Sequence, residues 1–396
     1  MYKTIVLKRG KSESLKRFHP WIFSGAIMRL PDGLQEGETV RVTDHEGAFL
    51  AVGHYQIGSI TVRILTFREQ PINRQFWQRR LSQALALRQA LGLTDGGGGD
   101  IYRLVHGEGD RLPGLIIDIY GHTAVMQAHS VGMHTSRHEI AAALSDVLGG
   151  ALTAIYYKSE TTLPYKADLQ EKEGFLLGAV EGGTECIATE NGLRFHIDWL
   201  QGQKTGFFVD QRENRHLLEH YSAGRNVLNL FCYTGGFSVY ALRGGAKKVC
   251  SVDSSSKAIE LTRANVALNF SGDTRHEAVA EDAFRFLDRA GSDYDLIVLD
   301  PPAFAKHHSA LRNALKGYTR LNATAMRKIR SGGIIFTFSC SQAVSREQFR
   351  LAVFTAAAQA GRHVRILHQL CQPADHPVSI YHPEGEYLKG LVLAVE

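Results

Sequence analysis

The stretch Asn226-Val-Leu-Asn-Leu-Phe-Cys-Tyr-Thr-Gly-Gly-Phe-Ser-Val constrains this chain more than any other. A short apolar run breaks there into the paired glycines Gly235 and Gly236, and the residues beyond them are helical in pattern. Val227, Leu228, Leu230 and Phe231 read as a strand covered on both faces. Phe237-Ser-Val-Tyr-Ala-Leu then opens a helix whose free N–H groups face the strand's carboxyl end, which is how a pocket for a nucleotide-like ligand is built. A second strand, Lys248-Val-Cys-Ser-Val, ends in Asp253, where an acid lies beside the crevice and suits a ribose hydroxyl pair.

The pattern repeats downstream. An amphipathic helix over Ser256 to Asn269 leads to a strand ending at Asp282 and a further helix, and Tyr294-Asp-Leu-Ile-Val-Leu carries another strand into Asp300-Pro301-Pro302-Ala303-Phe304. Three successive strands thus end in an acid. A dinucleotide site prefers G-x-G-x-x-G, which is absent, and does not call for Asp-Pro-Pro. S-adenosylmethionine (SAM) fits better. Asn229, Phe231, Tyr233, Thr234 and Gly235 then surround it, Asp253 takes its ribose and Asp282 its adenine amino group, with Asp300 at the same sheet edge. Just upstream, Gln203-Lys-Thr-Gly-Phe-Phe-Val-Asp-Gln-Arg-Glu-Asn-Arg-His reads either as an ordinarily capped helix start or as a lid. In the lid reading Phe207 covers the sulfonium or adenine, Gln211 bonds the methionyl end, and Arg212 or Arg215 pairs with its carboxylate.

Helices at about Ala310 to Ile329 and Arg346 to Gln359 flank the buried run Gly333-Ile-Ile-Phe-Thr-Phe-Ser-Cys-Ser. Two apolar segments, Arg362 to His368 and Leu388 to Val395, close the chain. Alternating strands and helices ending in two strands predict an α/β doubly wound sheet, mostly parallel with one antiparallel strand, the arrangement of SAM methyltransferases.

Asp300-Pro-Pro-Ala-Phe and Phe338-Ser-Cys-Ser both fall at carboxyl ends of neighbouring strands, where such a sheet places its ligands. Carbon 5 of a pyrimidine is a poor nucleophile until something adds to carbon 6, and a thiolate is the side chain best suited to that addition. Cys340 is the candidate nucleophile, Asp300 holds the N3/N4 edge of a cytosine, Pro301 and Pro302 stiffen the loop, and Phe304 offers a face to an extruded base. Asp-Pro-Pro followed by an aromatic also suits gripping the amino group of adenine or guanine for nitrogen methylation, which needs no cysteine. An RNA-binding factor that uses SAM without catalysis is a further alternative.

At the amino end, Lys8, Arg9, Lys11, Lys16 and Arg17 cluster beside His19-Pro-Trp-Ile-Phe. Cations interleaved with aromatics suit RNA, whose phosphates attract the charges and whose bases stack on rings, although Trp21 and Phe23 taken individually suit a core better. Short strands with turn signals then predict a small β-barrel closing near Phe67. Asn73 caps a helix from Gln75 whose apolar face runs through Trp77, Leu81, Ala84, Leu85 and Leu91, with Arg79, Arg80 and Arg88 off it, on a solvated face rather than an RNA track. Gly96 to Gly99 read as a loop without the Lys-Ser or Lys-Thr of a phosphate loop. An antiparallel meander, a helix from about His134 to Leu148 and a strand at Ala154 complete a middle α+β unit. The expected domains are 1–72, the RNA-binding barrel; 73–190, the middle unit; and 191–396, the methyltransferase.

The formal net charge of +5 permits a nucleic-acid partner without requiring one. Five scattered cysteines argue against a disulfide framework and for a reducing compartment. Neither a leader nor an apolar run of membrane-spanning length is evident, so the expectation is a cytoplasmic chain without a membrane partner, and no metal site is read. A homodimer is compatible with all of this.

The opening Arg17-Phe-His-Pro-Trp-Ile-Phe-Ser-Gly resembles a PUA domain, an RNA-binding barrel. Together with Lys204-Thr-Gly-Phe-Phe-Val-Asp-Gln-Arg-Glu-Asn-Arg, Asn229-Leu-Phe-Cys-Tyr-Thr-Gly-Gly-Phe-Ser, Leu299-Asp-Pro-Pro-Ala-Phe and Phe338-Ser-Cys-Ser, it makes the whole chain resemble bacterial large-subunit ribosomal RNA cytosine-C5 methyltransferases with an N-terminal PUA domain. The resemblance implies 23S rRNA or a large-subunit particle as substrate, SAM as methyl donor, and Cys340 as nucleophile. Lys8, Arg9, Lys16, Arg17 and Trp21 are the expected RNA contacts. Asn229 departs from the broader methyltransferase pattern, in which an acid is common there, and the Pro-Cys pair of other RNA cytosine methyltransferases is missing.

Overall fold

The computed structural model describes residues 2–94, 99–164, 169–179, 185–305 and 307–396. Most of the glycine loop read at 96–99 therefore lies outside the described residues. The chain divides into two compact units: Met1–Gly192 with Ile197–Val209 and Ala374–Gly385, and Leu193–His196 with Asp210–Pro373 and Glu386–Glu396.

Among the described residues, two sheets lie wholly within the first unit. Six strands lie in the order Trp21–Phe23, Ile60–Thr66, Phe49–Tyr55, Thr39–Thr43, Lys3–Leu7, Ile27–Arg29, curled around a core of Ile5, Leu7, Ile22, Val40, Val42, Val62 and Ile64. All these pairings are antiparallel except Lys3–Leu7 with Thr39–Thr43. The second sheet is the expected meander, Ile101–His106, Leu115–Tyr120 and Thr123–Ala128, extended by Ala154–Lys158 and Glu173–Leu177. Helix Arg74–Ala90 starts at Asn73, whose side chain accepts from the N–H of Phe76, and it buries Trp77, Leu81 and Ala84.

Two readings of this unit are corrected. The helix expected from about His134 to Leu148 is two, Val131–Thr135 and Arg137–Leu148, parted at Ser136. Arg88 is not solvated at all. Its guanidinium is fully buried, forms a fork with Asp110 at 2.5 and 2.8 Å, and donates to the carbonyls of Arg103 and Asp375. Periodicity places a side chain on a face, but only the packed neighbours decide whether that face meets water.

The second unit is a seven-stranded sheet in the order His276–Ala280, Lys248–Asp253, Asn226–Leu230, Leu296–Leu299, Gly333–Ser339, Lys389–Val395, Val364–Leu370. The first five are parallel, and Lys389–Val395 runs antiparallel to both its neighbours, as the sequence predicts. Leu296–Leu299 is buried at every position because helices cover both faces, so its pattern is a continuous apolar run rather than an alternation. Chain order reverses between Asn226–Leu230 and Leu296–Leu299, which opens a crevice at their carboxyl ends.

Removing the buried guanidinium would leave Asp110 charged and without its fork. Arg88→Ala should destabilise the first unit by about 3–5 kcal/mol in denaturant unfolding, far more than truncating an exposed arginine such as Arg79.

Candidate active site

The segment after strand Asn226–Leu230 turns through two non-glycine residues in the left-handed region, Phe231 at φ 58° and Tyr233 at φ 48°. Such backbone persists only when its surroundings hold it. Here the Tyr233 N–H donates to Asp253 Oδ2 at 2.9 Å, Thr262 Oγ1 donates to the Tyr233 carbonyl at 2.8 Å, and Asn265 Nδ2 to that of Thr234 at 2.9 Å. Gly235 completes the turn at φ 79°, and a Cβ there would lie 2.6 Å from Thr262 Cγ2. Gly236 then begins helix Gly236–Arg243, packed so closely on Arg215 that a Cβ would stand 3.0 Å from its Cδ.

Asp253 also accepts from the N–H of Ser255 at 3.0 Å, so backbone donors fix its carboxylate at the end of its strand. Asp282 is exposed and caps helix Ala283–Arg289. Asn229 is buried, and its Nδ2 donates to Ser238 Oγ at 2.9 Å, the start of a chain through Ser251 to His276. Its Oδ1 has no hydrogen-bond partner among the described residues. A buried carbonyl oxygen without a donor, a glycine turn closed to any side chain and a fixed carboxylate at a strand end all fit an adenosyl group with its ribose and amino donors.

The acceptor side is assembled by the next two strands. Leu299 pairs with Thr337 in parallel register, which brings Asp300-Pro301 alongside the end of strand Gly333–Ser339. Cys340 Sγ lies 3.9 Å from the Pro301 carbonyl oxygen. Gln211 Nε2 donates to Asp300 Oδ2 at 3.1 Å, and Gln211 is itself held by Asn214 at 2.6 Å. Ser341 Oγ accepts from the Ala305 N–H at 3.3 Å and meets Tyr318 Oη at 3.0 Å, while Ser339 Oγ donates to the same phenol at 2.9 Å. Phe304 is half-buried against Tyr318, with ring centroids 4.7 Å apart, and Pro302 is exposed. Burial pushes the thiols of Cys186 and Cys250 up to about 11 and that of Cys232 higher still.

The structure thus gathers Asn229, Phe231, Tyr233, Thr234, Gly235, Asp253, Asp282, Gln211, Arg212, Asp300, Pro301, Pro302, Phe304 and Cys340 in one unit. Arg212 is buried, with Nε 3.2 Å from Glu213 Oε1. Phe207 stands on the Ile197–Val209 segment of the other unit, where it is buried. Lys8, Arg9, Lys16 and Arg17 are exposed in that unit. Trp21 there donates to Glu108 at 2.8 Å and packs on His382, so the aromatics most open beside the cations are Phe18 and Phe23. Sequence reasoning missed Tyr318 and Lys389. Lys389 carried a signal: it is a lone cation at the edge of an apolar run.

Asp253→Ala removes the carboxylate that anchors Tyr233 at the strand end. SAM affinity measured by calorimetry should fall by about 1–3 kcal/mol, and an unchanged affinity would remove Asp253 from the site.

Residues 179–379 match the family model of S-adenosylmethionine-dependent methyltransferases, and residues 5–67 that of PUA-like domains. A protein of Klebsiella pneumoniae named Ribosomal RNA large subunit methyltransferase I is 40% identical over 400 residues, covering 100% of this chain and 99% of its own. Its namesake in Tolumonas auensis is 41% identical, covering 99% of each chain. A Streptococcus mutans structure described as a SAM-dependent methyltransferase superposes with a TM-score of 0.84 at 22% identity, over 99% of this chain and 100% of its own. Among the described residues no helix is long and apolar enough to cross a membrane. The chain therefore belongs to the S-adenosylmethionine-dependent methyltransferases, in the family whose curated members are named ribosomal RNA large subunit methyltransferase I.

Proposed function

We propose that this protein forms 5-methylcytosine in 23S ribosomal RNA through a covalent adduct between Cys340 and carbon 6 of the base. The names of relatives matching the chain end to end support the RNA substrate. The observation that carries the carbon-5 chemistry is the placement of the Cys340 thiol 3.9 Å from the Pro301 carbonyl, beside Asp300. When bound, SAM supplies an electrophilic methyl group.

The Phe231–Gly235 turn and Asp253 hold the adenosyl end, Asp282 takes the adenine amino group, and Asn229 Oδ1 is offered to the donor's own amino group. Gln211 bonds the methionyl end, and Arg212 or Arg215 pairs with its carboxylate. Asp300 binds the N3/N4 edge of an extruded cytosine, with N3 protonated as charge develops in the ring, and Phe304 with the two prolines forms the wall of the base pocket. The Cys340 thiolate adds to carbon 6 and makes carbon 5 nucleophilic enough to take the methyl group. Loss of the carbon-5 proton then restores the double bond and expels the thiolate.

The buried thiols of Cys232 and Cys250 are poor candidates for this role, because burial disfavours their ionised form. Nitrogen methylation is the second reading, in which Asp300, fixed by Gln211, and the following carbonyl grip an amino group of adenine or guanine. Residues 1–72 act as the RNA-capturing module of a cytoplasmic enzyme.

Cys340→Ala should abolish methyl transfer from labelled SAM to unmodified large-subunit RNA and leave SAM binding intact. RNA carrying 5-fluorocytosine at the target has no carbon-5 proton to lose, so wild type should form a denaturation-resistant complex that Cys340→Ala does not. Substantial turnover by Cys340→Ala, with a nitrogen-methylated nucleoside as product, would establish the second reading instead. For RNA capture, replacing Lys8, Arg9, Lys16 and Arg17 together by alanine should weaken binding and lower the slope of log affinity against log salt by about 3–4. An identical slope would place the RNA elsewhere.

A further inference from the structure

Lys389 is the only cation in strand Lys389–Val395, and it is buried at that strand's first position. Its register partner is Ser339, the residue before Cys340, and its Nζ donates at 2.6 Å to the carbonyl of Ser341, the residue after it. On the opposite side, strand Leu296–Leu299 brings in the Pro301 carbonyl. The residues on either side of Cys340 are thus tied to Lys389, Ser339 by register and Ser341 by the bond from the ammonium, and the charge of Cys340 acts on that amine. Burying an ammonium is costly, and a methionine would fill the same space without that penalty.

We propose that Lys389 is a positioning residue that keeps Cys340 in its thiolate form at neutral pH, which rests on the reading of Cys340 as the nucleophile. The ammonium supplies the compensating charge, its bond to Ser341 orients the loop that carries the thiol, and the thiol proton leaves to solvent. Among the described residues, three neighbours of this pair do not supply that charge. Tyr318, on helix Leu311–Lys328, is neutral, its phenol pushed up by burial. Arg346, on helix Arg346–Ala360, is paired with Glu386, and Asp300 is an anion that opposes a thiolate. Burial lowers the Lys389 amine to about 8, and the charge of Cys340 acts to raise it. A lysine with that value is mostly ammonium at pH 7 and loses its charge above about pH 8.

The test is the rate of iodoacetamide alkylation of Cys340 and of exposed Cys371, followed by peptide mass spectrometry from about pH 5 to about pH 10. In wild type the Cys340 midpoint should lie below that of Cys371. Lys389→Met should raise it by about one pH unit and leave Cys371 unmoved, while Lys389→Arg should keep it low. Methylation by Lys389→Met should fall about tenfold at neutral pH and recover toward about pH 9, where the thiol ionises unaided; a merely structural defect would not recover. A Cys340 midpoint at or above that of Cys371 in wild type overturns the proposal whether or not any variant folds. So does an unmoved midpoint in a Lys389→Met chain that still binds SAM. Alkylation needs no RNA, so turnover by Cys340→Ala would refute the nucleophile reading without touching this titration.

Discussion

The site depends on one pairing, the parallel register of Asn226–Leu230 with Leu296–Leu299, from Val227 opposite Leu296 to Leu230 opposite Leu299. From these two strands the chain builds outward in opposite directions, so the segments beyond Leu230 and Leu299 part and leave a crevice between them. Phe231 and Asp300 are the first residues past that pairing. The glycine turn and the Asp-Pro-Pro loop therefore stand side by side, although about seventy residues separate them in the chain.

Holding those segments takes bonding from outside them. Left-handed backbone at a non-glycine residue costs about 1–3 kcal/mol, and Phe231 and Tyr233 both adopt it. A single neutral hydrogen bond contributes about 1 kcal/mol net, so the turn needs the several that Asp253, Thr262 and Asn265 provide. The acceptor side follows the same principle. Ser341 reaches the Ala305 N–H and Tyr318, Tyr318 reaches Ser339, and Lys389 holds the Ser341 carbonyl, so the residues on either side of Cys340 are pinned while Cys340 itself stays partly open.

Much of this was legible because local chemistry required it. Paired glycines between a buried strand and a helix allow few geometries, and the structure shows why at Gly235, where any side chain would meet Thr262. Acids at successive strand ends marked Asp253 and Asp300 because nothing in a buried parallel sheet calls for a carboxylate. Arg88 was misread because helical spacing gives an angle around the helix axis and not what lies there; its partner Asp110 comes from a turn twenty-two residues on. Tyr318 and Lys389 escaped notice for a related reason. Each reaches the Cys340 loop from an element whose own pattern looks like ordinary packing.

The sequence by itself determined the class of the sheet and the residue types gathered at its carboxyl edge, because apolar runs, glycines and strand-end acids act over a few residues. It also carried the family, through motifs spread along the whole chain. Only the tertiary structure decided that Asn229 spends its amide on a buried chain of hydroxyls and leaves an oxygen over. It likewise decided that Arg88 is a buried ion pair and that a lysine flanks the cysteine. Those are matters of which distant side chains meet, and burial then sets their electrostatics; neither is written in the spacing of any one segment.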